Sequence, residues 1–176
     1  MLNYLIIATA LCLLGGLLHF EKKENRTGVL LTKTPLSALF IVASLVQPHT
    51  SATYFYPLLT GLILCMAGDI FLALPQKKMF LWGLVSFLLG HVGYLVAFFW
   101  ASQVNLWSGI GVITTLVTGV LVFIWLRPHL GSMKLPVLMY VIVISLMLCG
   151  AWSILGDTGV PVAGRTLVFT GGLSFY

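Results

Sequence analysis

Long apolar runs separated by short polar breaks set the pattern of this chain. The runs at 2–19, 28–46, 55–74, 79–101, 106–126 and 135–155 have the length, about 17–25 residues, that carries an α-helix across roughly 30 Å of hydrocarbon. A seventh run begins near Thr166. The breaks, "FEKKENRTG", "QPHTSAT", "PQKK", "SQVNL", "RPHLGSMK" and "GDTGVPVAGR", hold the polar residues, glycines and prolines that interrupt helices. In lipid only helices and closed barrels satisfy every backbone N–H and C=O, and these runs are too long and too evenly apolar for barrel strands. The pattern predicts an all-α polytopic transmembrane helical bundle with six full spans plus a partial seventh. The connections are too short for a second domain, so residues 1–176 read as one transmembrane domain.

Composition supports this reading. The chain is 60% hydrophobic and 7% charged, with a mean hydropathy of +1.08, whereas a soluble domain carries roughly 25% charged residues to keep its surface hydrated. The net charge of +5 does not indicate nucleic acid, because the nine Lys and Arg sit in short clusters between apolar runs and form no basic stripe. They act instead as topology signals. The first, third and fifth connections hold Lys22, Lys23, Arg26, Lys77, Lys78, Arg127 and Lys134, the second and fourth hold none, and the sixth holds only Arg165. The positive-inside rule then puts the odd connections in the cytoplasm and the N-terminus outside, as expected of a multi-pass protein of a bacterial inner membrane. The first run is a span rather than a cleaved signal peptide, since its positive charges follow the apolar stretch. Cys12, Cys65 and Cys149 all lie inside apolar runs, with neither disulfide nor metal-ligand spacing, and read as small core residues. No metal or cofactor signature is present.

One carboxylate breaks the apolar pattern. Asp69 lies inside the third run, in "CMAGDIFLALP", where an ionised carboxylate costs about 2.5–3.5 kcal/mol and usually faces a partner, cavity or pathway. Helix direction puts Lys33, Asp69 and Tyr140 each about five residues, roughly 7–8 Å, from the cytoplasmic ends of their helices, so the three share one depth. The plainer readings are a structural Lys33–Asp69 ion pair, or a Lys33 that snorkels to the interface. In the fourth helix, Gly83, Phe87, His91, Tyr94 and Phe98 fall on one face, beside a small-residue face of Ser86, Gly90, Gly93 and Ala97. His91 on such a face also fits a hydrogen-bonded core histidine, Tyr94 and Tyr140 fit helix-to-helix hydrogen bonding, and Phe87 fits packing. Asp157 in "GDTGVP" reads as a turn residue bonding its own backbone. His49 and His129, beside prolines in connections, carry little information. No Ser-His-Asp set, phosphate loop or zinc motif is present.

The string "GDIFLALPQKKMFLWGLVSFLLGHVGYLVAFF", with G-D followed by F-x-x-x-H-x-x-Y, resembles the YhhN family, whose characterised members are lysoplasmalogenases. The resemblance extends to "TKTPL" at 32–36, to Tyr140 and Met147 in "YVIVISLM", and to "LVFTGGLSF". It implies an eight-helix membrane hydrolase that cleaves the vinyl ether bond of lysoplasmalogens, a lysophospholipid substrate drawn from the membrane, giving a fatty aldehyde and a glycerophospho-base without a cofactor. The family's polar positions fall on Lys33, Asp69, His91 and Tyr140, with Gly68, Phe87 and Tyr94 around them. Catalysis is then expected of Asp69, His91 and Lys33, and substrate binding of Tyr140, Tyr94, Phe87 and Gly68. The family also carries a Ser-Asp pair shortly after a pattern like Gly171 to Phe175, and an eighth helix. The sequence therefore reads as truncated in the seventh helix, and a fragment lacking that aspartate is expected to be inactive.

Vinyl ethers resist base and yield to acid, so their hydrolysis calls for a proton donor and a group that orients water. A cation within reach of Asp69 favours the carboxylate, suited to activating water or stabilising a cation; without one, burial favours the neutral acid, suited to donating a proton. His91 is a candidate proton shuttle, and Lys33 is alternatively a phosphate ligand. Intramembrane Asp, Lys and His also serve ion pathways, so a small proton-coupled transporter is the rival reading, and a non-catalytic lipid-binding protein a third.

Overall fold

The computed structural model describes residues 2–48 and 51–175, without the side chains of Lys77 and Ser132; His49 lies outside the described residues. The elements are all helical: α1 Leu2–Lys22, α2 Arg26–Val46, α3 Ala52–Ala73, α4 Lys77–Ala101, α5 Leu106–Leu126, two 3₁₀ turns at Arg127–His129 and Gly131–Met133, α6 Lys134–Leu155 and α7 Val162–Leu173. The first six are long and apolar enough to cross a membrane, and α7 is shorter, at 12 residues. The chain is a multi-pass helical membrane protein. Its exterior is apolar in the manner of a lipid-facing surface, with Tyr4, Leu106 and Trp125 among many exposed large side chains.

The ends of α1 to α6 lie within three residues of the apolar runs, and two shifts have plain physical reasons. The first helix continues past its apolar run through Phe20, Glu21 and Lys22, because charged residues beyond the hydrocarbon remain good helix formers. The turn that follows is a Schellman motif: the Asn25 amide bonds the Phe20 carbonyl and the Glu24 amide bonds that of Glu21, each at 3.0 Å. Glu24 takes the left-handed position at φ +52°, which glycine usually fills. Asn25 then caps α2, its side chain accepting the Gly28 amide at 3.0 Å. The seventh helix begins at Val162, four residues before Thr166, because Pro161 supplies a preset N-cap and a helix can start directly after a proline.

The chain forms two compact units, Met1–Thr50 with Leu59–Gly90, and Ser51–Leu58 with His91–Tyr176. In the first, α1 packs on α2, and α3 and α4 approach closely through small residues. A Cβ at Gly90 would lie 3.0 Å from the Gly61 carbonyl oxygen and 2.7 Å from Cys65 Sγ, and Ser86 donates to the Leu64 carbonyl at 2.6 Å. In the second, α6 is the central helix, flanked by α5 and α7, with Met147, Leu148, Ala151 and Ile154 almost wholly buried. The buried face of α5 is a row of small residues, Ser108, Gly111, Thr115 and Gly119. Ser108 and Ser153 share a 2.6 Å hydroxyl contact, and Asn105 donates to the Ser153 carbonyl at 2.9 Å, so the end of this unit is held by polar side chains.

Cys65 and Cys149 are buried as expected, but Cys12 is exposed. It belongs to α1, which has no buried residue, and an apolar thiol in a lipid-facing span gains nothing from a protein core.

Candidate functional site

The polar face of α2 is built by its spacing. Lys33 and Ser37 lie four residues apart and so project from one side of the helix. The neighbouring hydroxyl of Thr32 is turned back on its own helix, bonding the Gly28 carbonyl at 2.8 Å. On α3, Asp69 meets both side chains. Lys33 Nζ stands 3.0 Å from Asp69 Oδ1, and Ser37 Oγ donates to Asp69 Oδ2 in a short hydrogen bond. Each carboxylate oxygen therefore has its own donor, one charged and one neutral. The side chains are only 31% and 15% exposed for Lys33 and Asp69, so the pair is partly withdrawn from its surroundings, where charge–charge attraction is stronger than in open water.

Gly68, next to Asp69, is the close-approach point for α4. A Cβ there would come 2.7 Å from the ring of Phe87, and a Cβ at Gly83 would lie 3.3 Å from the Gly68 carbonyl oxygen. Phe87 thus packs against the turn of α3 that carries the carboxylate. Gly68, Asp69, Lys33 and Phe87, expected together from the sequence, are together in the first unit.

The other three expected residues gather in the second unit. His91 has no exposed surface. Its ring meets Tyr94 at 5.7 Å, Tyr140 at 5.5 Å and Phe175 at 4.7 Å, all edge-to-face. Such geometry sets the positive edge of one ring against the negative face of the next, so His91 is held by three aromatic neighbours. Tyr140 lies beside His91 within the second unit. The turn role expected of Asp157 holds, since its Oδ1 accepts the Gly159 amide at 2.8 Å.

Two contributors escaped the reading of the sequence. Ser37 is an ordinary residue of an apolar helix by composition, and its one signal was the four-residue step from Lys33. Phe175 lay in a string noted for its pattern, with no local feature to connect it to His91. Among the described residues no three of His, Cys, Asp and Glu cluster as a metal site.

Comparison with curated proteins and with solved structures gave no match. A protein-family model does match, over residues 29–176, a range that includes Lys33, Ser37, Gly68, Asp69, Phe87, His91, Tyr94, Tyr140 and Phe175. The chain belongs to the YhhN family.

Proposed function

We propose that this protein is a lysoplasmalogenase-like hydrolase, cleaving the vinyl ether of a lysophospholipid within the membrane. The observation that carries the reading is the Asp69 carboxylate held inside apolar helices by Lys33 on one oxygen and Ser37 on the other. A carboxylate so held is fixed in direction by a charged donor on one oxygen and a hydroxyl on the other. In the reaction a proton adds to the outer alkene carbon, leaving an oxocarbenium ion at the carbon bonded to oxygen. Water adds to that carbon and gives up a proton, and the hemiacetal breaks its C–O bond to release aldehyde and alcohol. Proton added and proton released balance, so the net change is consumption of one water.

Anionic Asp69 fits the second half of this sequence, stabilising the oxocarbenium charge and accepting the proton of the entering water. Lys33 and Ser37 aim its oxygens. His91, within its ring of Tyr94, Tyr140 and Phe175, is assigned the proton donation on its chemistry, an imidazole being a common general acid and base. Phe87 and Gly68 are assigned to the lipid chain beside the carboxylate. The orientation proposed is that of the charge pattern, with the α1–α2 and α3–α4 connections in the cytoplasm of a bacterial cell.

The test is release of fatty aldehyde from a defined lysoplasmalogen by the complete protein, purified and placed in lipid nanodiscs. The expected result is aldehyde production that Asp69→Asn abolishes while the variant stays folded. Undiminished release by that variant would sink the assignment.

A further inference from the structure

At the Ala101 end of α4 the second unit holds a pocket of about 550 Å³. The turn that leaves α4 makes one wall, from Phe99 to Asn105, and Gly156, Asp157 and Thr158, which follow α6, make the other. The two walls are tied together. Ser102 Oγ and the Asn105 side-chain amide both donate to the Ser153 carbonyl, at 3.2 and 2.9 Å, which pins the connection leaving α4 to the last turn of α6. A pocket shaped before its ligand arrives loses less freedom on binding.

The lining is rich in acceptors without donors. An α-helix points its last carbonyls out of its C-terminal end, and among the described residues those of Phe99, Trp100 and Ala101 receive no backbone amide from the turn that follows, where the Ser102 amide bonds the Phe98 carbonyl at 3.1 Å. Asp157 adds a carboxylate. Its Oδ1 accepts the Gly159 amide at 2.8 Å, and among the described residues its Oδ2 has neither a hydrogen-bond donor nor an ion-pair partner. Arg165 is the near cation, and its Nη1 donates to the Asp157 backbone carbonyl at 3.4 Å rather than to the carboxylate. Trp100 and Phe99, 68% and 49% exposed, bring aromatic rings to the same lining.

These features select a cation, and one of a particular kind. Helix C-termini carry partial negative charge, the carboxylate adds a full one, and aromatic faces attract cations through their quadrupole. Bare carbonyl oxygens call for N–H donors, which a primary ammonium has and a trimethylammonium lacks. A metal ion is a poor match, since among the described residues no three of His, Cys, Asp and Glu cluster and the volume is that of a small-molecule site.

We propose that this pocket binds a primary alkylammonium, its nitrogen between Asp157 Oδ2 and the open carbonyls that end α4, its carbon stem against Trp100. The site is separate from the proposed hydrolase chemistry and stands whether or not that reading does. The ammonium belongs to a free amine or to a lipid head group, since exposed tryptophans such as Trp100 and Trp107 are typical of the depth at which head groups lie.

The experiment measures binding to the whole chain in nonionic detergent by calorimetry, with ethanolamine, choline, and short-chain phosphatidylethanolamine and phosphatidylcholine as probes. The primary amine is expected to bind at least ten-fold more tightly than its trimethylated counterpart. That preference between ethanolamine and choline identifies a free-amine site, the same preference in the lipid pair alone identifies a head-group site, and each supports the proposal. Asp157→Asn removes the charge and keeps the Oδ1 that accepts from Gly159, so it is expected to weaken the preferred probe at least ten-fold with an unchanged unfolding midpoint. Trp100→Ala, at an exposed position, is expected to weaken it about two- to five-fold. No binding of any probe, equal affinity for primary and trimethylated partners, or unchanged binding in Asp157→Asn or Trp100→Ala would each overturn the proposal.

Discussion

Lys33 Nζ and Asp69 Oδ1 are 3.0 Å apart, joining two helices through opposite charges that the lipid interior would otherwise exclude. Each side chain makes the other tolerable at that depth, since an unpaired charge among apolar helices costs several kcal/mol more than a paired one. The pair is thus both a packing element and the anchor of the proposed chemistry, and substitution separates the two roles.

Lys33→Gln leaves Asp69 with Ser37 as its remaining donor. It is expected to destabilise the protein by about 1–3 kcal/mol, below the range for fully buried pairs because Lys33 keeps 31% exposure. Lys33→Gln combined with Asp69→Asn is expected to recover part of this loss, since no charge is left unpaired. Unfolding midpoints of the two single variants and the double variant, measured in one detergent, check the coupling.

Ser37→Ala removes the hydrogen bond to Asp69 Oδ2 and leaves the ion pair intact. The carboxylate keeps Lys33 beside it and loses one of its two directional restraints. Aldehyde release is expected to fall about ten-fold in kcat with little change in KM, and Ser37→Thr, which keeps a hydroxyl, is expected to restore most of it. Steady-state kinetics on the three proteins decide this, because a general loss of stability would not be rescued by threonine.

Gly90→Ala sets a methyl group 3.0 Å from the Gly61 carbonyl oxygen and 2.7 Å from Cys65 Sγ. Backbone cannot step aside as a side chain can, so a loss of about 1–3 kcal/mol is expected from overpacking. Adding Cys65→Ala relieves the sulfur contact alone and is expected to return only part of the stability. Gly109→Ala is the control, as a Cβ there meets nothing within 4 Å; thermal unfolding in detergent ranks the variants.

Glu24→Gly releases the left-handed strain of a non-glycine residue at φ +52°, worth about 1 kcal/mol. The variant is expected to be more thermostable by up to that amount. Thermal unfolding of the two proteins in one detergent checks it.

The fold was largely legible in the sequence, because lipid imposes a single rule on a spanning backbone and the rule writes itself as long apolar runs. Six helices follow from run length with ends within three residues of the runs, and the end of α1 and the start of α7 moved where charged residues and a proline rather than hydrophobicity set the boundary. The small-residue row on α4 also foretold a close approach, since only missing side-chain atoms let backbones come so near.

The site was legible only in part. Asp69 announced itself by the energetic cost of its position, and helix direction placed Lys33 at its depth, so the pair could be anticipated from local physics and from counting. Ser37 and the ring of Phe175 against His91 could not. Each depends on which faces of separate helices meet, and that rotation is set by summed packing across the chain. The sequence by itself determined that the helices span, and that a charge inside them needs a partner; the tertiary structure alone decided which neutral hydroxyl and which aromatic rings complete the arrangement, because helix rotation is a property of contacts between segments.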